Sequence, residues 1–426
     1  MVPTLRDGCQ RVEAAAYTPH VTAARIPIRF TRWLAGAVCL SVAACTVPTA
    51  ASPAASLTPD ASAAHLLFRA PTSFYYPAAD AVTGAAPGEL IDVLEMVAPP
   101  GMRAWTVMYG STGLNGEPIV VSGMILAPAD PPSGSGYPVV AWAHGTTGIA
   151  DSCAPSRAGS DRVAELAELA AAGYVVTATD YEGLGTAGTH PYIIGISEGR
   201  SVLDSIRAVQ HLPQAHAANE TVVVGLSQGG HAALWAGQLA PAYAPELDIR
   251  GALAGSPPAD LSAWASWTFD AAASGQIGAT RPAVLLFGVW SEIYGLPLPF
   301  LTDRAQEIAA TVRDGCDFSG LSANPYVSDP TLIPEWNQRL LENSPGAART
   351  RVPFLVVAPS DDQLVWYESQ VAGVGAMCAI GDTVELRTVS GGHDALLASP
   401  SVWRAAQEWI TARFAGEAAT STCGFK

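Results

Sequence analysis

The sequence is short of positive charge. A single lysine, Lys426, occurs in the chain, and 22 lysines and arginines stand against 38 aspartates and glutamates, for a net charge of −16. Binding to nucleic acid or to an anionic membrane surface depends on clustered positive charge. We therefore expect a soluble protein that does not bind nucleic acid.

Long apolar runs are also scarce. The run Trp33–Cys45 is too short to span a bilayer. Arginines precede it and small residues follow it, which is the layout of a secretory signal. We expect residues 1–45 to direct export and residues 46–70 to form an unstructured Pro/Ala/Ser linker, in a protein that is secreted or held at the cell surface.

The end of that apolar run leaves two routes of processing open. Val42-Ala43-Ala44-Cys45 resembles the end of a bacterial lipoprotein signal, in which Cys45 would be lipidated. Simple cleavage further on, near Ala61-Ser62-Ala63, is the alternative. A lipid on Cys45 is the only membrane anchor that we expect.

The cysteine spacing of a zinc site is missing as well. None of the seven cysteines forms a Cys-x-x-Cys pair, and we expect neither a metal nor another cofactor.

Four cysteines follow the export segment, which favours two disulfides with three possible connectivities. Cys378 lies in a predicted helix, and pairing it with Cys423 would tie down the C-terminal tail. That pairing leaves Cys153 to bridge Cys316.

Short β-branched runs alternate with longer stretches that suit helices. This alternation predicts an α/β fold, with a mostly parallel sheet covered by helices on both faces. We predict amphipathic helices at Arg162–Gly173 and Arg200–Leu212. The predicted strands are Glu117–Pro128, Pro138–Gly145, Tyr174–Asp180, Thr221–Ser227, Ile249–Gly255, Pro353–Asp362 and Val384–Gly392.

One interval interrupts this alternation. From Leu261 to Thr350, two predicted strands are separated by far more residues than a crossover needs. The interval contains the apolar runs Pro282–Trp290 and Tyr294–Leu301 and the helix-like stretches Asp303–Arg313 and Pro334–Asn343. We predict a core of residues 71–260 and 351–426 with a large inserted helical cap, residues 261–350.

The pattern Gly-x-Ser-x-Gly, which marks the reactive serine of many hydrolases, occurs at Ser227 and again at Ser197. A nucleophile elbow needs a strand, a sharp turn and a helix in direct succession. Ser227 has this context, because β-branched residues precede it and a small-residue helix follows. Proline and glycine precede Ser197, so we interpret Ser197 as a helix cap and Ser227 as the nucleophile.

A reactive serine needs a histidine base, and the base needs a carboxylate that holds its tautomer. Two histidines follow Ser227. His231 lies one turn into the elbow helix, whereas His393 lies on a glycine-containing loop after a predicted strand, so we predict His393 as the base. For the acid, the strand ending at Asp361 and Asp362 offers either aspartate.

The tetrahedral intermediate of acyl transfer carries an oxyanion that preorganised N–H groups must stabilise. The backbone N–H of Gln228, directly after the nucleophile, is one predicted donor. The second should come from the loop Ala143–Gly148, where we predict the N–H of Thr146, aided by Thr147.

Several segments together resemble the secretory lipase family of α/β-hydrolases, the fungal lipase A-like group and its bacterial relatives. They are GLSQGGHAALWA, ATDYEGLG with HPYIIGISEGRSVLDSIRA, AHGTTGIADSCAPS, GSPPADL, and DDQLV followed by GGHDA. The resemblance covers nearly all of the chain from about Pro71 onward. It implies an α/β-hydrolase fold with a helical cap, and a triacylglycerol lipase or carboxylesterase.

The resemblance also assigns the triad. Ser227 matches the nucleophile of the family and His393 matches its base. The family's acid is followed three residues later by valine, and Val365 stands at that spacing from Asp362, so the resemblance favours Asp362 over Asp361. At the oxyanion loop this chain has HGTTG in place of the acidic loop of some fungal members.

Three functions are compatible with these residues. The leading one is a secreted serine ester hydrolase that acts on lipids or small esters. A peptidase or an acyltransferase would use the same triad, because only the acyl acceptor differs. A surface protein that binds lipid on an inactive hydrolase scaffold is the third, and the complete triad argues against it.

Overall fold

The computed structural model describes residues 70–77, 84–158, 163–311, 315–316 and 320–424. These residues all fall in one of two compact units of the chain, Thr58–Lys426. The predicted export segment, Cys45 and nearly all of the predicted linker lie outside them.

The described residues form a nine-stranded sheet with the order β1-β2-β3-β5-β4-β6-β7-β8-β9. In this spatial order, every pair of neighbours from β5 through β4, β6, β7 and β8 to β9 is parallel. At the other edge of the sheet, the pairs β1–β2, β2–β3 and β3–β5 are antiparallel. The strands are β1 Leu90–Met96, β2 Met102–Thr112, β3 Pro118–Pro128, β4 Tyr137–Ala143, β5 Val175–Thr179, β6 Ala217–Leu226, β7 Asp248–Gly255, β8 Phe354–Pro359 and β9 Val384–Val389.

The helices lie between and after these strands. They are α1 Pro155–Ala158, α2 Val163–Ala171, α3 Gly195–Gln210, α4 Gln228–Tyr243, α5 Leu261–Ala273, α6 Ile277–Tyr294, α7 Asp303–Thr311, α8 Pro334–Glu342, α9 Tyr367–Ala379, α10 Ala395–Ala398 and α11 Pro400–Phe414. The mostly parallel α/β fold predicted from the sequence is therefore confirmed.

Alternate residues of each central strand pack on opposite faces of the sheet. In β4, Val140 and Trp142 join the cluster under α2 and α11. Ala141 and Ala143 join the cluster under α3, α4 and α9. A strand that is buried on both faces needs apolar residues throughout, which explains the continuous apolar runs from which these strands were predicted.

The interval between β7 and β8 holds the four helices α5 to α8 and no strand among its described residues. These helices and the segment after α6 pack into one apolar cluster, whose large buried side chains include Trp264, Phe287, Phe300 and Trp336. Phe287, Phe300 and Trp336 pack edge to face, with ring centroids 4.8 to 5.4 Å apart. Both apolar runs predicted for the interval contribute to this cluster.

Two disulfides lie within the described part of the chain, Cys153–Cys316 and Cys378–Cys423. The first joins the loop after β4 to the interval between β7 and β8. The second joins the end of α9 to the C-terminal segment beside β9. Both pairs are those predicted from the sequence.

Candidate active site

Ser227 lies in the turn between β6 and α4 with φ 59° and ψ −119°. This backbone conformation is rare for a residue with a side chain, and such strain concentrates at functional sites. Ser227 N donates to Gly255 O of the neighbouring strand at 2.8 Å, which fixes the turn. The turn places the half-buried serine at the carboxyl end of β6, the position that a nucleophile elbow requires.

The two glycines beside Ser227 are explained by close backbone contacts. A Cβ at Gly225 would lie 2.0 Å from Gly229 O, and a Cβ at Gly229 would lie 1.8 Å from Ala143 O. No side chain fits at either position, so the tight turn depends on both glycines.

The second Gly-x-Ser-x-Gly pattern has a different role. A Cβ at Gly195 would lie 2.0 Å from the Trp235 ring, and one at Gly199 would lie 2.8 Å from Leu239 Cδ1. The two glycines therefore let α3 pack closely on α4. Ser197 is buried within α3, and its hydroxyl donates to Glu182 Oε2. The interpretation of Ser197 as a helix cap is wrong, because α3 begins two residues earlier, after Ile194.

Asp362 and His393 are in contact. His393 Nδ1 lies 2.9 Å from Asp362 Oδ2 and 3.1 Å from Oδ1. Oδ1 also accepts the backbone N–H groups of Leu364 and Val365, each at 2.9 Å. This turn explains the spacing between Asp362 and Val365, and it aims the carboxylate at the histidine. Asp361 is exposed and makes no contact with His393 among the described residues.

The histidine loop is joined to the elbow through Ser256, directly after β7. Ser256 Oγ donates to His393 O at 2.6 Å, and the preceding residue, Gly255, accepts from Ser227 N. Ser256 also has a positive φ, 48°. In the sequence Ser256 stands within the segment GSPPADL, where no pattern indicates a role for it. Of the described side chains, none hydrogen-bonds to Ser227 Oγ, and catalytic hydrogen bonds of this kind often form only with substrate bound.

The predicted oxyanion loop lies beside the serine. A Cβ at Gly145 would lie 3.7 Å from Ser227 Cβ and 3.2 Å from Leu226 O, so Thr146 follows a residue in direct contact with the elbow. Thr146 Oγ1 is hydrogen-bonded to the Tyr192 hydroxyl at 2.7 Å. On the other side of the serine, Gln228 is the first residue of α4, where backbone N–H groups are free of helical partners.

A buried polar network that no sequence pattern indicated lies behind the elbow. Glu198 in α3 is fully buried, and its Oε1 accepts from Gln228 Nε2 at 2.8 Å and from Ile193 N at 2.9 Å. Its Oε2 lies 2.9 Å from His231 Nδ1. His231 is thus a packed residue of the interface between α3 and α4.

Two histidines of this region, His144 and His190, are buried and remain neutral. Burial lowers the pKa of each to about 4. Because the unfolded chain takes up these protons near pH 6.5 and the folded protein does not, stability is lost as the pH falls from about 6.5 towards 4.

We expect His144→Gln to lose less stability on acidification than the wild-type protein. Each buried neutral histidine accounts for roughly 3 kcal/mol over the full interval, so the difference between pH 7 and pH 4.5 should be about 2 kcal/mol. Chemical denaturation at both pH values measures it. The exposed His211 offers the control His211→Gln, which should follow the wild type, and an unchanged pH dependence in His144→Gln would contradict the assignment.

Metal binding and membrane crossing have no counterpart among the described residues. Within that part of the chain, no group of three or more His, Cys, Asp or Glu side chains is arranged to hold a metal ion. Nor does any described helix combine the length and apolar character needed to cross a membrane.

The amino-acid sequence is similar to the sequences of several lipases. The model of the family described as secretory lipase matches residues 160–285, which contain Ser227. A protein of Mycobacterium tuberculosis named probable inactive lipase MT1628 is 27% identical over 383 residues, 82% of each chain. Lipase A of Moesziomyces aphidis is 40% identical over 97 residues, 23% of this chain and 20% of the relative. Secreted triacylglycerol lipase LIP4 of Malassezia globosa is 35% identical over 175 residues, 38% of this chain and 37% of the relative.

Solved structures share the fold at low sequence identity. Candida antarctica lipase A in its closed state has a TM-score of 0.64 at 21% identity, over 82% of this chain and 87% of that one. The rice cell wall degrading esterase LipA of Xanthomonas oryzae has a TM-score of 0.60 at 20% identity, over 76% and 99%. The resemblance inferred from the sequence is therefore confirmed: the chain is related to fungal and bacterial lipases, matches the secretory lipase family over residues 160–285 and has an α/β-hydrolase fold.

Proposed function

We propose that the protein is a secreted serine ester hydrolase, a triacylglycerol lipase or carboxylesterase, that works through Ser227, His393 and Asp362. The observation that carries the proposal is the strained elbow at Ser227, joined through Ser256 to the loop of a paired histidine and aspartate. The family match and the lipase relatives support ester hydrolysis as the reaction.

The proposed mechanism follows from the tautomer of His393. Asp362 is a hydrogen-bond acceptor, so His393 Nδ1 carries the proton between them and Nε2 is left as the base. Nε2 takes the proton of Ser227 as Oγ attacks the ester carbonyl, and the protonated ring then gives it to the leaving alcohol. Water repeats these steps on the acyl-enzyme and releases the acid. The N–H groups of Gln228 and Thr146 stabilise each oxyanion.

A non-catalytic lipid-binding protein is the second candidate, because the mycobacterial relative carries the name probable inactive lipase. Ester and amide substrates separate the candidates. A serine ester hydrolase cleaves p-nitrophenyl esters and leaves peptide p-nitroanilides intact, a peptidase cleaves both, and an inactive scaffold hydrolyses neither.

We also propose that residues 261–350 form a cap over the active site. Trp264 Nε1 donates at 2.8 Å to Leu364 O, two residues after Asp362. Trp290 Nε1 donates at 2.8 Å to Tyr192 O, beside the oxyanion loop. The apolar cluster of α5 to α8, the cap cluster, also includes Ile149, which follows the oxyanion loop directly, and Val365, which lies three residues after Asp362. The apolar helices thus lie against the loops that carry the acid and the oxyanion donor.

An apolar roof predicts a preference for longer acyl chains. Each methylene that a substrate buries contributes roughly 0.8 kcal/mol, so kcat/KM should rise from acetate to at least octanoate among p-nitrophenyl esters. Tributyrin and longer triglycerides should also be hydrolysed. A steady fall from acetate upward, with no triglyceride turnover, would show that the cap closes the pocket and that the protein is a short-chain esterase.

The proposed location is outside the cytoplasm, in keeping with the secretory family and the secreted relative. Anchoring through a lipid on Cys45 is part of this proposal. Metabolic labelling with a fatty acid, compared between the wild type and Cys45→Ser, tests it.

A further inference from the structure

The segment His190–Tyr192 contacts both sides of the proposed oxyanion hole. On one side, His190 Nε2 lies 2.9 Å from Gln228 Nε2. On the other, the Tyr192 hydroxyl lies 2.7 Å from Thr146 Oγ1. His190 and Tyr192 are each about 1% exposed, so neither contact competes with bulk water.

The contact at Gln228 has one consistent set of donors. His190 Nδ1 lies 2.8 Å from Glu182 O, which only accepts, so Nδ1 carries the ring proton. His190 Nε2 then accepts from the Gln228 amide, whose other hydrogen is donated to Glu198 Oε1. Both hydrogens of the amide are fixed, and the first residue of α4 is held in place beside the nucleophile.

The contact at Thr146 is also held firmly. Burial raises the pKa of Tyr192 far above its ordinary value, so its hydroxyl stays protonated. Its carbonyl accepts from Trp290 Nε1 of α6 at 2.8 Å. The next residue, Ile193, has a φ of 56°, a conformation that a β-branched residue adopts only under strain, and its N–H donates to Glu198 Oε1.

We propose that Tyr192 is a positioning residue, which sets the oxyanion loop through Thr146 while His190 of the same segment holds Gln228. The inference rests on the proposed function. Ile193, next to Tyr192, and Gln228 both donate to Glu198 Oε1. The same buried carboxylate therefore holds the segment that contacts Thr146 and the residue that follows the nucleophile. Small displacements of oxyanion donors weaken transition-state stabilisation while ground-state binding is kept.

The test compares Tyr192→Phe with a matched control. Tyr192→Phe keeps the packed ring and removes only the hydroxyl. Tyr75, before β1, is also about 1% exposed and its hydroxyl lies 3.0 Å from Ser156 Oγ, so Tyr75→Phe removes the same kind of bond outside the cap and the site. We expect Tyr192→Phe to lower kcat for a p-nitrophenyl ester about 10- to 100-fold with little change in KM, and Tyr75→Phe to leave kcat unchanged.

A double-mutant cycle shows whether Tyr192 acts through Thr146. Thr146→Val should lower kcat as Tyr192→Phe does, and the double variant should be no slower than either single variant. Thr146→Ser, which restores a hydroxyl, should recover most of the activity lost in Thr146→Val. Additive losses in the double variant, or equal losses in Tyr192→Phe and Tyr75→Phe, would overturn the inference.

Capture of Ser227 by a fluorophosphonate separates this inference from the proposed function. The phosphoryl oxygen of the probe would occupy the oxyanion site, so Tyr192→Phe should be labelled more slowly than Tyr75→Phe. If the wild type hydrolyses esters and both variants are labelled at one rate, the inference alone is overturned. If the wild type neither hydrolyses esters nor reacts with the probe, the proposed function fails and the inference fails with it.

Discussion

Ser227→Ala is expected to abolish ester hydrolysis, with a loss in kcat on the order of 10⁵- to 10⁶-fold. The substitution removes the only atom proposed to attack the ester. The fold should persist, because the contacts that hold the turn, Ser227 N to Gly255 O and Ser227 O to His231 N, are made by the backbone. Initial rates on p-nitrophenyl butyrate, together with circular dichroism of the variant, measure both expectations.

Ser197→Ala is the matched control, since Ser197 stands in the same five-residue pattern. Its hydroxyl donates to Glu182 inside the core, so the variant loses some stability. It should keep most of the activity and remain reactive toward a fluorophosphonate. Labelling of Ser197 in place of Ser227 would show that the nucleophile was assigned wrongly.

Asp362→Asn is expected to lower kcat about 10⁴-fold. The amide can donate a hydrogen bond to His393 Nδ1, which places the ring proton on Nε2 and leaves no base for Ser227. The backbone N–H groups of Leu364 and Val365 can still bond to the remaining oxygen, so the loop should survive. A pH–rate profile of the variant measures the residual activity.

Asp361→Asn controls for the charge at the same strand end. Asp361 is exposed, and its contacts, with Ser360 Oγ at 3.4 Å and Gly391 N at 3.3 Å, are long. We expect its rate to stay within about twofold of the wild type. If Asp361→Asn were the slower of the two variants, the acid would be Asp361 and the contact with His393 would have no catalytic meaning.

The parallel part of the sheet was predictable because its strands are buried on both faces and alternate with helices. The antiparallel strands β1 and β2 were missed. β1 lies at the sheet edge, where Asp92 and Glu95 interrupt its apolar residues. β2 mixes Arg103, Thr106 and Gly110 with aromatic residues and has no helix between it and its neighbours. Strand prediction from apolar runs does not detect such segments.

Residues of the candidate site were predictable only where a short sequence pattern, such as a strand followed by a turn, marks their position. Ser227, His393 and the pair Asp361-Asp362 each follow a recognisable strand. Glu198 and Tyr192 have no comparable context, because their importance depends on the packing of α3 against α4 and on the course of one loop. The alternation between β-branched runs and helices contains no information about that packing.

Each of the two disulfides closes a covalent ring over one part of the chain. The ring closed by Cys153 and Cys316 contains Ser227, and the ring closed by Cys378 and Cys423 contains His393. Asp362 lies on the connection between the rings. An extracellular protease that cuts one peptide bond inside either ring leaves the fragments joined. A cut between Cys316 and Cys378 instead leaves the nucleophile and the base on separate fragments, so resistance to proteolysis depends on how well that connection is protected.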